Sequence, residues 1–233
     1  MERPLSFDGF SDETFRYLAE LTANNEKAWF EANRARYEAC YLAPALAFIE
    51  AIGPRLRELP GDVRYEARVN GSLFRVNRDV RFSKDKTPYK NHVDMWFWQG
   101  ERKGWESPGY YMRLLPDEII LGAGMHSFSK EGLTAFRQAV LDDVQGAALE
   151  EVVASVSRAG PYAVAGESRK TVPRGFDPGH PRARLLRYEA LNANLAGPIP
   201  SESADPGFVD YCFGHFKAVS PINAWLTSVF KGH

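Results

Sequence analysis

The sequence predicts an α+β fold with a central antiparallel sheet, and three observations carry that reading. Apolar residues recur at helical spacing over residues 10–59 and again towards the end of the chain. Strand-like alternation with explicit turns is confined to about residues 63–125. No helical stretch interrupts those strands, which separates the pattern from an alternating α/β fold. The composition, 44% hydrophobic and 25% charged over 233 residues, is that of a globular chain long enough to bury a sizeable core as one domain, 1–233. Fifteen Phe, ten Tyr and five Trp give that core aromatic weight.

Each element has a local reason. Ser11 is the candidate N-cap of the first helix, with Phe10 before it and Phe15, Leu18 and Leu21 along one face. Asn24-Asn25 breaks the helix. Trp29, Phe30, Tyr37, Cys40 and Tyr41 resume the spacing, and Pro44 opens a further helix that turns Leu46, Ile49, Ile52 and Leu56 inward. Asn70-Gly71 is the strongest short hairpin signal in the chain. Leu73–Phe82 alternates and is expected as a strand, with Phe74, Val76, Val80 and Phe82 on its inner face. Lys84–Lys90 is expected as a loop, because Thr87-Pro88 disfavours regular structure.

His92–Trp98 alternates again, and a polar loop spans 100–109. Tyr110–Leu115 and Ile119–Leu121 flank a tight turn at Pro116-Asp117-Glu118. Helices follow over 130–158, marked by Leu133, Phe136 and Val140 and then by Leu149, Val152 and Val153. Residues 160–204 are rich in Gly and Pro and are expected to form an irregular excursion packed on the domain. Two helices are expected over 205–231, one opening at Asp205-Pro206 and the other at Ser220-Pro221.

Several function classes are excluded at this level. The two cysteines, Cys40 and Cys212, lie inside apolar helical patterns, with no CxxC pair and no zinc spacing, so no metal site is expected. Met1-Glu2-Arg3-Pro4 lacks a signal-peptide core and no apolar run approaches the length of a membrane span, so a cytoplasmic location without a membrane partner is expected. A pI near 6.5 argues against wholesale nucleic-acid binding. A Walker loop, GxGxxG, GxSxG and HExxH are all absent, so no motif names a cofactor or a reaction, and the oligomeric state is open.

One stretch stands out by charge. Phe74–Lys90 holds Arg75, Arg78, Arg81, Lys84, Lys86 and Lys90 against Asp79 and Asp85, a surplus of four cations in a chain whose net charge is −1. Arginine grips phosphate or carboxylate with a planar fork, and lysine as a point charge. Arg75, Arg78, Arg81, Lys86, Tyr89 and Lys90 are therefore the candidate ligand-binding residues, with Asp79 the candidate catalytic residue, orienting the guanidiniums or acting as a base. Arg78 falls on the apolar side of the alternation, which marks it as the candidate scaffold member. On the next strand His92, Asp94, Trp96 and Trp98 are expected to line the same surface, and Trp96, Trp98, Trp105, Tyr110 and Tyr111 are of a type that stacks on bases. Three readings follow. The leading one is a site for an anionic small molecule, with or without catalysis. The second is a nucleic-acid or acidic-protein binding module, and the third a cross-strand salt-bridge network serving the fold.

The order Arg75-x-x-Arg78-Asp79-x-Arg81-Phe82-x-x-x-Lys86-x-x-Tyr89 resembles the hallmark of an uncharacterised conserved family seen in bacteria and inside longer fungal proteins. The resemblance extends to Phe7-Asp8-Gly9-Phe10, to Asn24-Asn25 with Trp29-Phe30, and to Gly122-Ala123-Gly124-Met125. It implies that these positions matter. It brings no established activity.

Overall fold

The structure is a computed structural model in which residues 6–101, 104 and 107–230 are described. The opening helices are α1 (Asp12–Ala23) and α2 (Lys27–Ala32), and α1 buries Thr14, Tyr17, Leu18 and Leu21. A short turn, Arg34–Arg36, then passes through a wide π turn, Tyr37–Leu42, into α3 (Ala43–Leu56). The Thr14 hydroxyl donates to the Cys40 carbonyl at 2.7 Å and ties α1 to the wide turn. Contrary to the sequence expectation, one run, Arg34–Leu56, does reach the length and apolarity of a membrane span. About half of that run is buried, Phe48, Ile49, Ile52 and Leu56 among its residues in the core.

The sheet has six strands in the order β1-β2-β3-β4-β6-β5, antiparallel at every pairing. They are β1 (Val63–Arg64), β2 (Val93–Gln99), β3 (Gly109–Leu114), β4 (Glu118–Met125), β5 (Ala163–Glu167) and β6 (Tyr188–Pro198). The turn at Pro116-Asp117-Glu118 closes as expected, with the Leu115 amide on the Glu118 carbonyl at 2.8 Å. Of the loop expected over 100–109, residues 102, 103, 105 and 106, and with them Trp105, lie outside the described residues.

Three further expectations are corrected. Residues 160–204 are not wholly irregular, because they supply β5 and β6, and the sheet therefore runs beyond 63–125. The sequence of β6, with Asn192, Asn194, three alanines and a Gly-Pro end, carries few β-favouring side chains. Its place between β4 and β5 supplies hydrogen-bonding partners on both edges and outweighs that weak local preference. Leu73–Phe82 is not a strand. It touches β2 only at Leu73, opposite Met95, with the Phe74 amide on the Asp94 carbonyl at 3.0 Å, and then leaves the sheet. Local bonds from aspartate side chains to the backbone, Asp79 to the Arg81 amide and Asp85 to the Thr87 amide, compete with a ladder there. Phe82, expected inside, is 95% exposed.

The third correction concerns the C-terminus, where a single helix α6 (Phe208–Phe230) runs through Pro221 without a break. Proline lacks the amide that would bond the Lys217 carbonyl four residues back. The Ser220 hydroxyl donates to that carbonyl instead, at 2.9 Å. The helix lies on one face of the sheet, its Phe216 ring 6.4 Å from Phe97 and 5.4 Å from Tyr110. A further bond joins Asn223 Nδ2 to the Gly109 carbonyl at 2.9 Å. Phe10 and Phe48 meet Phe208 at 5.8 and 5.3 Å, joining the opening helices to α6. Helices α4 (Lys130–Leu141) and α5 (Asp143–Ala159) complete the layer, with Phe136 edge-on to Trp225 at 5.7 Å. Since strand side chains alternate, Asp94, Tyr111 and Arg113 stand on the face of the sheet opposite α6.

Ser220→Ala should leave the Lys217 carbonyl with no donor. The expected loss is about 1–3 kcal/mol, read as a lower melting temperature. The double variant Ser220→Ala/Pro221→Ala should regain most of it, because replacing the proline restores the backbone amide. Equal melting for wild type and Ser220→Ala would refute the substitution of hydroxyl for amide.

Candidate functional site

The charged stretch forms an excursion whose two limbs zip together before the chain enters β2. The Arg78 amide donates to the Pro88 carbonyl at 2.9 Å and the Lys90 amide to the Val76 carbonyl at 2.7 Å, with Asn77 opposite Tyr89. Asn25, between α1 and α2, acts like a short strand edge: its Nδ2 donates to the Tyr89 carbonyl at 2.9 Å and its Oδ1 accepts the Tyr89 amide at 3.0 Å. The Tyr89 ring stacks on Phe30 at 4.1 Å. Of the hallmark side chains, Arg78 bonds the Asp85 carboxylate and the Thr87 hydroxyl. Arg81 forks onto Asp79 at 2.7 and 3.0 Å, exposed to solvent. Lys86 Nζ donates to the Val80 carbonyl at 2.8 Å. These contacts stay within the excursion and shape it.

The convergent polar cluster lies beneath it, centred on Asp94, which is 5% exposed. Antiparallel pairing sets Asp94 directly across from Arg113. The Arg113 fork reaches the carboxylate through Nε at 2.7 Å and Nη2 at 3.1 Å. The Tyr111 hydroxyl donates at 2.8 Å, and His92 Nε2 lies 3.1 Å from Oδ2. Lys90 Nζ stands further off, at 3.5 Å from Oδ2, and 4.9 Å from the Phe74 ring centre. Burial alone would raise the Asp94 pKa, but the bonds from His92 and Arg113 prevail and hold it well below the carboxylate range. Burial lowers the Lys90 ammonium pKa; Asp94 opposes that shift, while Arg113 and Arg75 add to it.

A cavity of about 380 Å³ opens over this cluster, lined by Phe74, Arg78, Asp79, Lys90, His92, Asp94 and Arg113. A neighbouring cavity of about 400 Å³ shares Arg78, Lys90 and His92 as its wall and reaches Asn25, Thr87 and Tyr89. Of the residues singled out in the sequence, Arg78, Asp79 and Lys90 therefore meet His92 and Asp94 at one cavity. Arg75 is exposed, yet its charge acts on both Asp79 and Lys90. Arg81 and Lys86 do not line either cavity, and Tyr89 is buried against Phe30 and reaches only the second. Trp96 and Trp98 are buried, not presented as stacking platforms. Sequence reasoning names Tyr111 only as a stacking aromatic and misses Arg113, although alternation on β3 places the two on one face.

Among the described residues no group of three His, Cys, Asp or Glu side chains has metal-binding proximity. The Asp94 carboxylate already faces cations and a hydroxyl donor, so it offers nothing to a metal. Cys40 and Cys212 are buried and free; burial pushes the Cys40 thiol up to about 11 and raises Cys212 well above its ordinary value.

A family model described as a conserved hypothetical protein, DUF2461, matches residues 13–225. No curated protein matches the chain.

Two outcomes follow from the geometry. Asp94→Asn would leave Arg113 and Lys90 without their buried counter-charge, and a loss of about 3–5 kcal/mol is expected by denaturant unfolding. A loss under about 1 kcal/mol would show that the cluster is far better hydrated than its burial implies. The Asp85 carboxyl is brought down to about 2 by the Thr87 amide, then by Arg78 and the Thr87 hydroxyl. Its ordinary value is 3.8, so its contribution is present above that pH and is lost as the pH falls towards 2. The Thr87 amide resonance should then titrate near pH 2 in the folded chain and not titrate there in Asp85→Asn; a midpoint near 4 would contradict the bond pattern.

Proposed function

The chain belongs to the DUF2461 family along nearly all of its length, and we propose that it binds a small molecule bearing a phosphate or carboxylate in the cavity over Asp94. One observation carries this reading. An ionised carboxylate has about four lone-pair sites. On Asp94 the two Arg113 nitrogens, the Tyr111 hydroxyl and His92 already occupy them, each within 3.1 Å. Lys90 is a fifth donor at 3.5 Å, a cation with three N–H groups set in the cavity wall. Asp94 can engage at most part of that ammonium, and an anion there would accept from the N–H groups it leaves.

The volume, about 380 Å³, sits at the small end of ligand sites, which favours a compact ligand. Arg78 lines the same cavity and makes its loop bonds through Nη1 alone, leaving Nε and Nη2 for a ligand. Asp79 lines the rim as a carboxylate whose pKa is lowered first by the Arg81 side chain. That pairing suits orientation of a ligand better than proton abstraction.

For the rest of the hallmark a scaffold role is the better supported reading, because Arg81 and Lys86 make their bonds inside the excursion and line neither cavity.

Melting curves with inorganic phosphate, citrate and glycerol 3-phosphate test the proposal. At a hundredfold excess over Kd an anion should stabilise the wild type by about 2.7 kcal/mol, or roughly 5–10 °C for a chain of this size. Lys90→Gln should abolish the shift, while Arg81→Ala should keep it. The same shift in Lys90→Gln, or none with any of these anions, would overturn the assignment. Binding an anion favours the charged lysine, so affinity should fall as the pH rises through the Lys90 pKa, which lies below the ordinary 10.5.

A further inference from the structure

Lys90 differs from the other lysines of the charged stretch. Lys84 and Lys86 are exposed, and Lys86 is engaged with the Val80 carbonyl. The Lys90 side chain is 22% exposed, within reach of a small molecule yet poorly hydrated. Its amine stands 4.9 Å from the Phe74 ring centre on one side and 3.5 Å from Asp94 on the other, in the wall of the cavity.

The groups facing it come from three elements. The excursion contributes Arg75, Arg78 and Asp79, β2 and the residue before it contribute Asp94 and His92, and β3 contributes Tyr111 and Arg113. Asp79 is paired with Arg81, and Asp94 is shared between Lys90 at 3.5 Å and the closer Arg113, so cations outnumber the carboxylates that face them. Two things relieve a surplus cation in such a place: a bound anion, or release of the lysine's proton. An amine that can release its proton in a cavity beside an anion-binding fork is placed to act as a nucleophile.

We infer that Lys90 is a Schiff-base lysine, whose amine condenses with the aldehyde or ketone carbon of a small carboxylate- or phosphate-bearing molecule. The inference rests on the anion-binding reading of the same cavity and names the reactive group its ligand carries. Burial favours the neutral amine that the reaction requires, Asp94 favours the charged one, and the neighbouring guanidiniums of Arg113 and Arg75 add to the effect of burial, so that the net direction is towards release of the proton.

The step balances without oxidation or reduction. The amine lone pair forms the C–N bond while the carbonyl π pair moves onto oxygen. That oxygen gains a proton and the nitrogen loses one, giving a carbinolamine. The C–O bond then breaks, water leaves with the second nitrogen proton, and C=N forms. His92 lines the same cavity wall but has both ring nitrogens engaged, with Asp94 and with Asn91, so these protons pass to and from water.

Borohydride trapping tests the inference on the intact chain. Wild-type protein is incubated with pyruvate or, in parallel, with dihydroxyacetone phosphate, then reduced with sodium borohydride and mapped by peptide mass spectrometry. A reduced adduct concentrated on Lys90, at least about tenfold above that on the exposed Lys84, is the expected result. The arm that reacts identifies carboxylate or phosphate as the recognised charge. Lys90→Arg should lose the adduct; the wild-type map decides the question even if that variant misfolds. Adducts spread over exposed lysines, or none at all, would overturn the inference. Lactate and glycerol 3-phosphate, which carry the charge without the carbonyl, separate the two readings. Stabilisation by them without trapping leaves the anion site standing and removes the amine chemistry, whereas neither effect removes both.

Discussion

A buried carboxylate determines what the neighbouring chain must do. Asp94 sits on β2, on the face of the sheet away from α6, and burial of its charge is tolerable only because β3 delivers an arginine fork and a tyrosine hydroxyl to it. That requirement fixes the β2–β3 register, since a shift of one residue would send Arg113 to the opposite face. It also fixes where the charged excursion returns, because Lys90 and His92 must reach the same carboxylate from the residues just before β2. The site is therefore a property of the sheet, and the excursion is its cover.

The charged residues divide along this line. Arg81 and Lys86 hold the excursion in one shape through contacts confined to it, while Lys90, His92, Asp94 and Arg113 line the cavity beneath. Asp79 and Arg78 belong to both, being bonded within the excursion and present in the cavity wall. A charge-dense loop would otherwise favour many conformations through mutual repulsion. Here each aspartate carboxylate accepts both a cation and a backbone amide, so the same residues neutralise charge and set the backbone path.

Much of this was legible in the sequence, and the remainder was hidden for physical reasons. The α+β class, the Pro116-Asp117-Glu118 turn and the helices of 10–59 and 130–158 follow from periodicity and turn chemistry, which are local. The alternation set Arg78 apart, but no strand forms there, and its bonds to Asp85 and Thr87 follow from the loop's own fold. The partnership of Asp94 with Arg113 was not visible, because the intervening 100–109 loop is too long for turn geometry to set the register. Leu73–Phe82 alternates like a strand, yet its aspartate, Asp79, bonds its own backbone, and alternation cannot reveal a missing partner. Asn192 and Asn194 disguised β6, whose pairing with β4 depends on chain some seventy residues away.

The wide π turn at Tyr37–Leu42 has a consequence for the geometry of the whole N-terminal layer. An α-helix advances about 100° per residue, so one extra residue within a turn rotates everything after it by that angle. The turn therefore acts as a phase correction, letting Tyr37 and Tyr41 face inward before it closes and Phe48 and Ile52 face inward after it. Removing a single residue there would restore ordinary winding and swing the buried stripe of α3 about a quarter-turn out of alignment with Phe208. In this segment, length is constrained more tightly than composition.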